Sequence, residues 1–177
     1  MKIIIADGMI STMRNSFLLF CCFFFTGYAE GDRMKGFNIW SFIEGMQTRA
    51  TELDGDSIKK LPFPIFLDHE NKYTAFYKGK DFKLDDGNNI SSIDIRLSKE
   101  KSETPAFIAF EISGECITLD ELKKKYKPLE LSSYPSGNSN DEVTAYTYHK
   151  NEKQTLSFGF KQTDPSCLHT VVIDSDE

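Results

Sequence analysis

Apolar positions along this chain change rhythm several times, and each change predicts an element. Ile39, Phe42, Ile43 and Met46 recur at the three-and-four spacing of one helical stripe, so an amphipathic helix is predicted over residues 38–53. Asp54-Gly55-Asp56 stops it, and Leu61-Pro62-Phe63-Pro64 reads as an extended connector because each proline steers its predecessor away from helix. His69 lies in Asp68-His69-Glu70-Asn71, which reads as an exposed turn. From Tyr73 onward the rhythm becomes alternation, and residues 73–77, 81–84, 93–97 and 106–112 read as strands. In the third, Ile93, Ile95 and Leu97 face one side while Asp94 and Arg96 face the other. The fourth is apolar on both sides and reads as a central strand.

The alternation then breaks once, at "SGECITLDELKKKYKP". Thr118 followed three residues later by Glu121 fits a capping box, in which a hydroxyl and a carboxylate each satisfy a backbone N–H that the helix start leaves unpaired. Ile117, Leu119 and Leu122 supply apolar contacts, Lys123, Lys124 and Lys125 complement the negative carboxyl end, and Pro128 follows. Strand patterning resumes at 143–148 and 155–160 around a charged hairpin tip at 149–153, and again at 171–173. Residues 132–141, "SSYPSGNSND", read as a turn-rich surface loop. Helix followed by strands occurs twice, which predicts an α+β fold: an antiparallel sheet with two helices packed on one face.

Residues 13–32, "MRNSFLLFCCFFFTGYAEGD", belong to neither rhythm. A positive Arg14, an apolar run over 17–26 and small residues at Gly27 and Ala29 have the layout of a secretory signal. The run is too short for a membrane crossing, which takes about 20 residues. A lipid anchor on Cys21 or Cys22 is disfavoured by the bulky Phe20 ahead of them. The expected organisation is a signal over residues 1–29, with translation starting at Met13, and a single secreted domain over 30–177. The expected location is periplasmic or secreted, with no stable membrane insertion once the signal is removed. Of four cysteines, Cys116 and Cys167 would remain, and in an oxidising compartment they read as one disulfide. Two free buried thiols, or a nucleophile or metal ligand, are the competing readings.

Charge and motifs narrow the chemistry. A formal net charge of −6 argues against nucleic acid and anionic lipid as partners, and is compatible with a basic protein partner or a merely solvated surface. The lysine run at 123–125 reads as solvated dipole partners rather than a phosphate site. No nucleophile elbow, zinc-protease helix, phosphate loop or dinucleotide fingerprint occurs, so no catalytic, cofactor or metal residue is predicted. Asp54-Gly55-Asp56 and Asp85-Asp86-Gly87-Asn88-Asn89 resemble calcium loops but lack the twelve-residue ligand spacing, and read as turns. Asn89-Ile90-Ser91 matches a glycosylation sequon. The three histidines, 69, 149 and 169, fall in separate segments.

What remains is surface. Thr144, Tyr146 and Tyr148 share one strand face, and Leu156, Phe158 and Phe160 share one face of the neighbour implied by the hairpin. The phenylalanines read as core. Tyr146 and Tyr148 read either as core packing or as partner contacts, since tyrosine offers both an apolar ring and a hydroxyl.

Signal, domain length, acidity, one cysteine pair and a helix beside antiparallel strands together resemble periplasmic immunity proteins that neutralise cell-wall-targeting effectors of type VI secretion. The stretch from Cys116-Ile117-Thr118 to Tyr126 and the strands to Ile173 resemble the helix-plus-sheet unit of beta-lactamase inhibitor-like domains. The resemblance implies a periplasmic inhibitor that covers a partner's active cleft, the partner being a basic effector enzyme. It implies contacts from loops 133–140 and 149–153, hence Tyr134, Asn138 and His149 beside Tyr146 and Tyr148. An envelope adaptor or ligand-binding module, and a small envelope hydrolase using His69 or His169 with a carboxylate, are the rival expectations.

Overall fold

The computed structural model describes residues 33–100, 106–137, 139 and 142–175. The signal expected over residues 1–29 and the candidate contact Asn138 lie outside the described residues. The elements are β1 (Arg33–Met34), α1 (Ile39–Ala50), a 3-10 turn (Ser57–Lys60), β2 (Ile65–Glu70), β3 (Thr74–Gly79), β4 (Phe82–Leu84), β5 (Asn89–Ser98), β6 (Phe107–Ser113), α2 (Leu119–Lys125), β7 (Glu130–Ser133), β8 (Val143–Asn151), β9 (Gln154–Lys161) and β10 (Asp164–Asp174). The strands form one sheet in the order β1-β4-β5-β6-β10-β9-β8-β7, with β3 also on β5 and β2 on β3. Every pairing is antiparallel except the two-residue contact of β1 with β4. The molecule is therefore dominated by its sheet, with the two helices and the disulfide as additions to it.

One long strand organises half of that sheet. The first part of β5 pairs with β4, through Phe82 opposite Ile90, and the second part pairs with β3, through Thr74 opposite Ser98 to Lys78 opposite Asp94. Between them Ser92 adopts φ 52°, and the β5–β6 register shifts between Ser91 and Asp94. An extra residue in the left-handed region bends the strand, which lets it serve two neighbours in succession. As expected, β6 is interior, with β5 on one side and β10 on the other.

Both helices begin as their sequences predict. Asn38 Oδ1 accepts from Ser41 N at 2.9 Å and Ser41 Oγ accepts from Asn38 N at 3.0 Å, closing a capping box on α1. Thr118 and Glu121 do the same for α2. The acidic turn after β4 has a structural role, in which Asp85 accepts from Gly36 N at 2.6 Å and Asp86 accepts from Ile39 N at 2.7 Å. These carboxylates hold the segment entering α1, so the calcium-like spelling of that turn is turn chemistry. Asn89 of the sequon pairs with Lys83 on one side and Ser113 on the other. It is thus a residue of a paired strand rather than of a loop.

The core gathers the alternating apolar residues of the strands with the stripe of α1. Phe42 is 2 % exposed and meets Phe110, Phe82 and Phe63 at ring-centroid distances of 5.2, 5.4 and 6.1 Å. Tyr126, which caps α2, packs on Phe158 at 4.9 Å, and Lys125 joins the two helices by pairing with Glu44 and lying 5.5 Å from the Trp40 ring. Gln154 Nε2 donates to the Gln47 carbonyl at 2.9 Å, tying β9 to α1 inside the core. Cys116 and Cys167 form a disulfide across a separation of 51 residues.

Several boundaries differ from expectation. The first helix ends at Ala50 rather than near Leu53, and Ser57–Lys60 adds a 3-10 turn where only a stop was expected. His69 is a strand residue of β2, not a turn residue, and Ser132 and Ser133 belong to β7, not to a loop. His149, Lys150 and Asn151 continue β8, so the hairpin tip shrinks to Glu152 and Lys153. β10 begins at Asp164, well before Val171. Besides the two-residue β1, the strands that alternation missed are β2 and β7, edges whose residues are almost all exposed. An edge that meets water has no need of an apolar face.

Candidate interaction surface

Register decides what the tyrosines of β8 do. Thr144, Tyr146 and Tyr148 stand opposite Phe160, Phe158 and Leu156, and directly opposed residues in an antiparallel pair share a face. The tyrosines therefore lie on the side of the buried Phe158 and Phe160. Tyr148 packs on Tyr126 at 5.3 Å and Tyr146 meets Phe160 edge-on at 5.9 Å. Both are half-buried at the margin of the core.

Beyond them lies β7, whose only strand neighbour among the described residues is β8. Leu131 stands opposite Tyr146 and is 57 % exposed, and Tyr134, just after the strand, is 75 % exposed. Lys123 of α2 lies 6.0 Å from the Tyr146 ring, on the weak limit of a cation–π contact. Lys123, Lys124 and Lys127 make no ion pair with another described residue, while Lys125 is engaged by Glu44. Glu130 stands opposite Thr147, on the other face from Leu131. On that face, Thr147 Oγ1 bonds Ser132 Oγ and Ser157 Oγ at 2.8 Å each, a hydroxyl chain that ties β7, β8 and β9 together. Among the described residues this corner combines a strand edge with a single neighbour, a partly exposed leucine–tyrosine pair and lysines without an ion pair, of which Lys124 interacts electrostatically with Glu121.

The opposite edge has a different character. On β2, Phe66 and Leu67 are 51 % and 50 % exposed. His69 stacks on Phe76 at 4.2 Å, and the Arg96 guanidinium lies 5.8 Å from Phe76 and 4.6 Å from Phe107. Charges there neutralise one another: Asp94 takes both Arg96, at 2.9 Å, and Lys78, at 3.6 Å, while Glu70 takes Lys99 at 3.1 Å. The β2–β3 register also shifts between Leu67 and His69. The β7–β8 register shifts likewise, between Leu131 and Ser133, so what sets the β2 edge apart is its internally paired charges, which blunt it toward further pairing.

The three histidines stay apart. His149 is exposed at the end of β8, and His69 lies on the β2 edge beside Asp68, 2.9 Å away. His169 lines a cleft of about 200 Å³ with Ser113, Gly114, Lys161, Asp164 and the disulfide. Its Nε2 is 3.6 Å from Glu111 Oε2, and that nitrogen is closed off from solvent. Burial, and then the Lys161 ammonium, hold this imidazole below the usual histidine range, while Glu111 and the Ile112 backbone oppose them. A base whose free nitrogen is buried under a neighbour is poorly placed to reach a substrate proton. Among the described residues no group of three or more metal-ligating side chains comes together, and no helix is long and apolar enough to cross a membrane.

Of the residues singled out in the sequence, Tyr134 and Tyr146 fall at the β7 corner, Tyr148 lies deeper toward Tyr126, and His149 ends the same strand. Leu131 carries no sequence expectation, and the lysines at 123–125, read as solvated, are exposed. The alternation of Leu129 and Leu131 after Pro128 was the available signal, but it spans too few residues to stand out. No protein-family model, curated protein or solved structure matches this chain.

Proposed function

We propose that this chain is an exported binding protein without catalytic activity, which holds a protein partner against the corner built by β7, β8 and α2. The observation that supports this reading is the β7 edge, open among the described residues, with Leu131 and Tyr134 exposed and Lys123 near the Tyr146 ring. Aromatic and apolar anchors next to unpaired backbone groups are the usual materials of strand-addition interfaces. In the more specific form, taken from the resemblance to immunity and inhibitor proteins, the partner is a cell-wall-targeting effector whose cleft this corner covers.

The test is a cross-linked pull-down from the native envelope, with the unmodified protein compared with Leu131→Asp/Tyr134→Asp and with Phe66→Asp. Recovery of one recurrent partner is expected to fall about tenfold in the β7 variant, since anchor residues contribute more than about 1 kcal/mol each, and to persist in the β2 variant. Retention by the β7 variant with loss in the β2 variant would move the interface to the opposite edge.

A further inference from the structure

We infer that the segment received by the β7 edge is extended and acidic, and that it adds as a strand with its carboxylates toward α2. The inference rests on the binding reading above and adds the partner's chemistry to it. A strand placed on the free side of β7 would run about 4.8 Å from it and alternate its side chains between the two faces. On one face its neighbours are Leu131, Tyr146 and the end of α2; on the other they are Glu130 and the bonded hydroxyls of Ser132 and Thr147. The face toward α2 is the one with positive charge to satisfy. Lys123 lies 6.0 Å from the Tyr146 ring, Lys124 follows it in the last turn of α2, and Lys127 lies just beyond the helix end.

The local acidic groups remove only part of that charge: Glu121 interacts electrostatically with Lys124, while Lys123 and Lys127 make no ion pair with another described residue. Asp120 and Glu121 occupy the first turn of α2, and the Glu121 carboxylate is already bonded by Thr118 N and Oγ1, each at 2.8 Å. Glu44 is taken by Lys125. Glu130 points to the other face by register. The partial negative charge of the helix end, about half an elementary charge, offsets only part of the lysines. A short acidic strand would meet this corner alone, because screening limits the reach of the remaining surface to about 8 Å at physiological salt. A nucleic acid would also meet lysines and an aromatic ring here, but its length would carry phosphates across a protein of formal net charge −6.

The test uses the full protein with its disulfide intact and four probes: a short Val/Thr peptide with two central glutamates, its glutamine and lysine counterparts, and a short oligothymidylate. Binding is followed by the amide resonances of Leu131 and Ser133. The glutamate peptide is expected to shift these amides and to bind roughly fivefold more tightly than the glutamine peptide, as two exposed ion pairs would give. The lysine peptide is expected to bind more weakly still. Lys123→Gln/Lys124→Gln/Lys127→Gln, at exposed positions, is expected to erase the preference, as is raising salt to about 0.5 M. Equal binding of all three peptides at β7 would overturn the acidic partner while leaving the binding surface in place. Absence of shifts in β7, or tighter binding of the oligothymidylate, would overturn the inference outright, and the pull-down would then judge the binding reading separately.

Discussion

His169 lies two residues after Cys167, and both line the cleft, but so does Leu168 between them, because the pairing of β10 with β9 shifts on either side of Leu168 and simple alternation does not hold there. What the spacing could not supply is the company: Lys161 from β9 and Glu111 from β6. Since burial and Lys161 favour the neutral imidazole, its folded pKa lies below the unfolded one. The stability linked to it is present above the ordinary histidine value and is lost as pH falls through that value toward the folded one. Urea midpoints measured at about pH 7.5 and about pH 5 should therefore drop less in His169→Gln than in the unmodified protein. An equal drop would assign the acid sensitivity to other groups. Tyr126 shows the same dependence on distant neighbours: its ring packs on Phe158 and Tyr148, and burial raises its phenol well above the tyrosine range.

At the scale of elements, the capping box of α2 was legible because everything it needs lies within four residues, while that of α1, with Ser41 in place of a Glu or Gln, was not read. Thr118→Ala removes the hydroxyl that accepts from Glu121 N and donates to the Glu121 carboxylate, leaving only the bond from the backbone N–H of residue 118, so thermal unfolding should show a loss of about 1 kcal/mol. The backbone and hydroxyl of Thr118 lower the Glu121 pKa, so this part of the stability is present at neutral pH and disappears as acid titrates the folded carboxylate. In Thr118→Ala the acid limb of the stability curve should flatten only in part, because the larger cause, the backbone N–H of residue 118, remains. Alternation likewise announced β6, β8 and β9, whose apolar residues must face a core. It failed at β2 and β7 for a physical reason. Edge strands are held by backbone hydrogen bonds to a single neighbour, and most of their side chains meet water, so hydrophobic spacing carries little trace of them. The candidate surface lies on one of these silent strands.

Across the whole molecule, the disulfide fastens the segment between β6 and α2 to the irregular start of β10, where the pairing with β9 shifts between Asp164 and Leu168. Beside it the Leu168 N–H donates to the Ile117 carbonyl at 2.8 Å. Replacing both cysteines by alanine should lower unfolding free energy by about 2–5 kcal/mol, measured in urea under non-reducing conditions. A smaller loss would mean that the hydrogen bonds alone hold this join. By itself the sequence determined the helix starts, the interior strands and the residues available for a sulfur bridge, because periodicity, capping and composition act over a few neighbouring positions. Only the tertiary structure decided that Leu131, Tyr146 and Lys123 meet at an edge that is open among the described residues and that Asp86 caps α1 across 47 residues. Which strand pairs with which, and in what register, is chosen by the packing of the entire sheet, a competition in which no local stretch of chain holds the outcome.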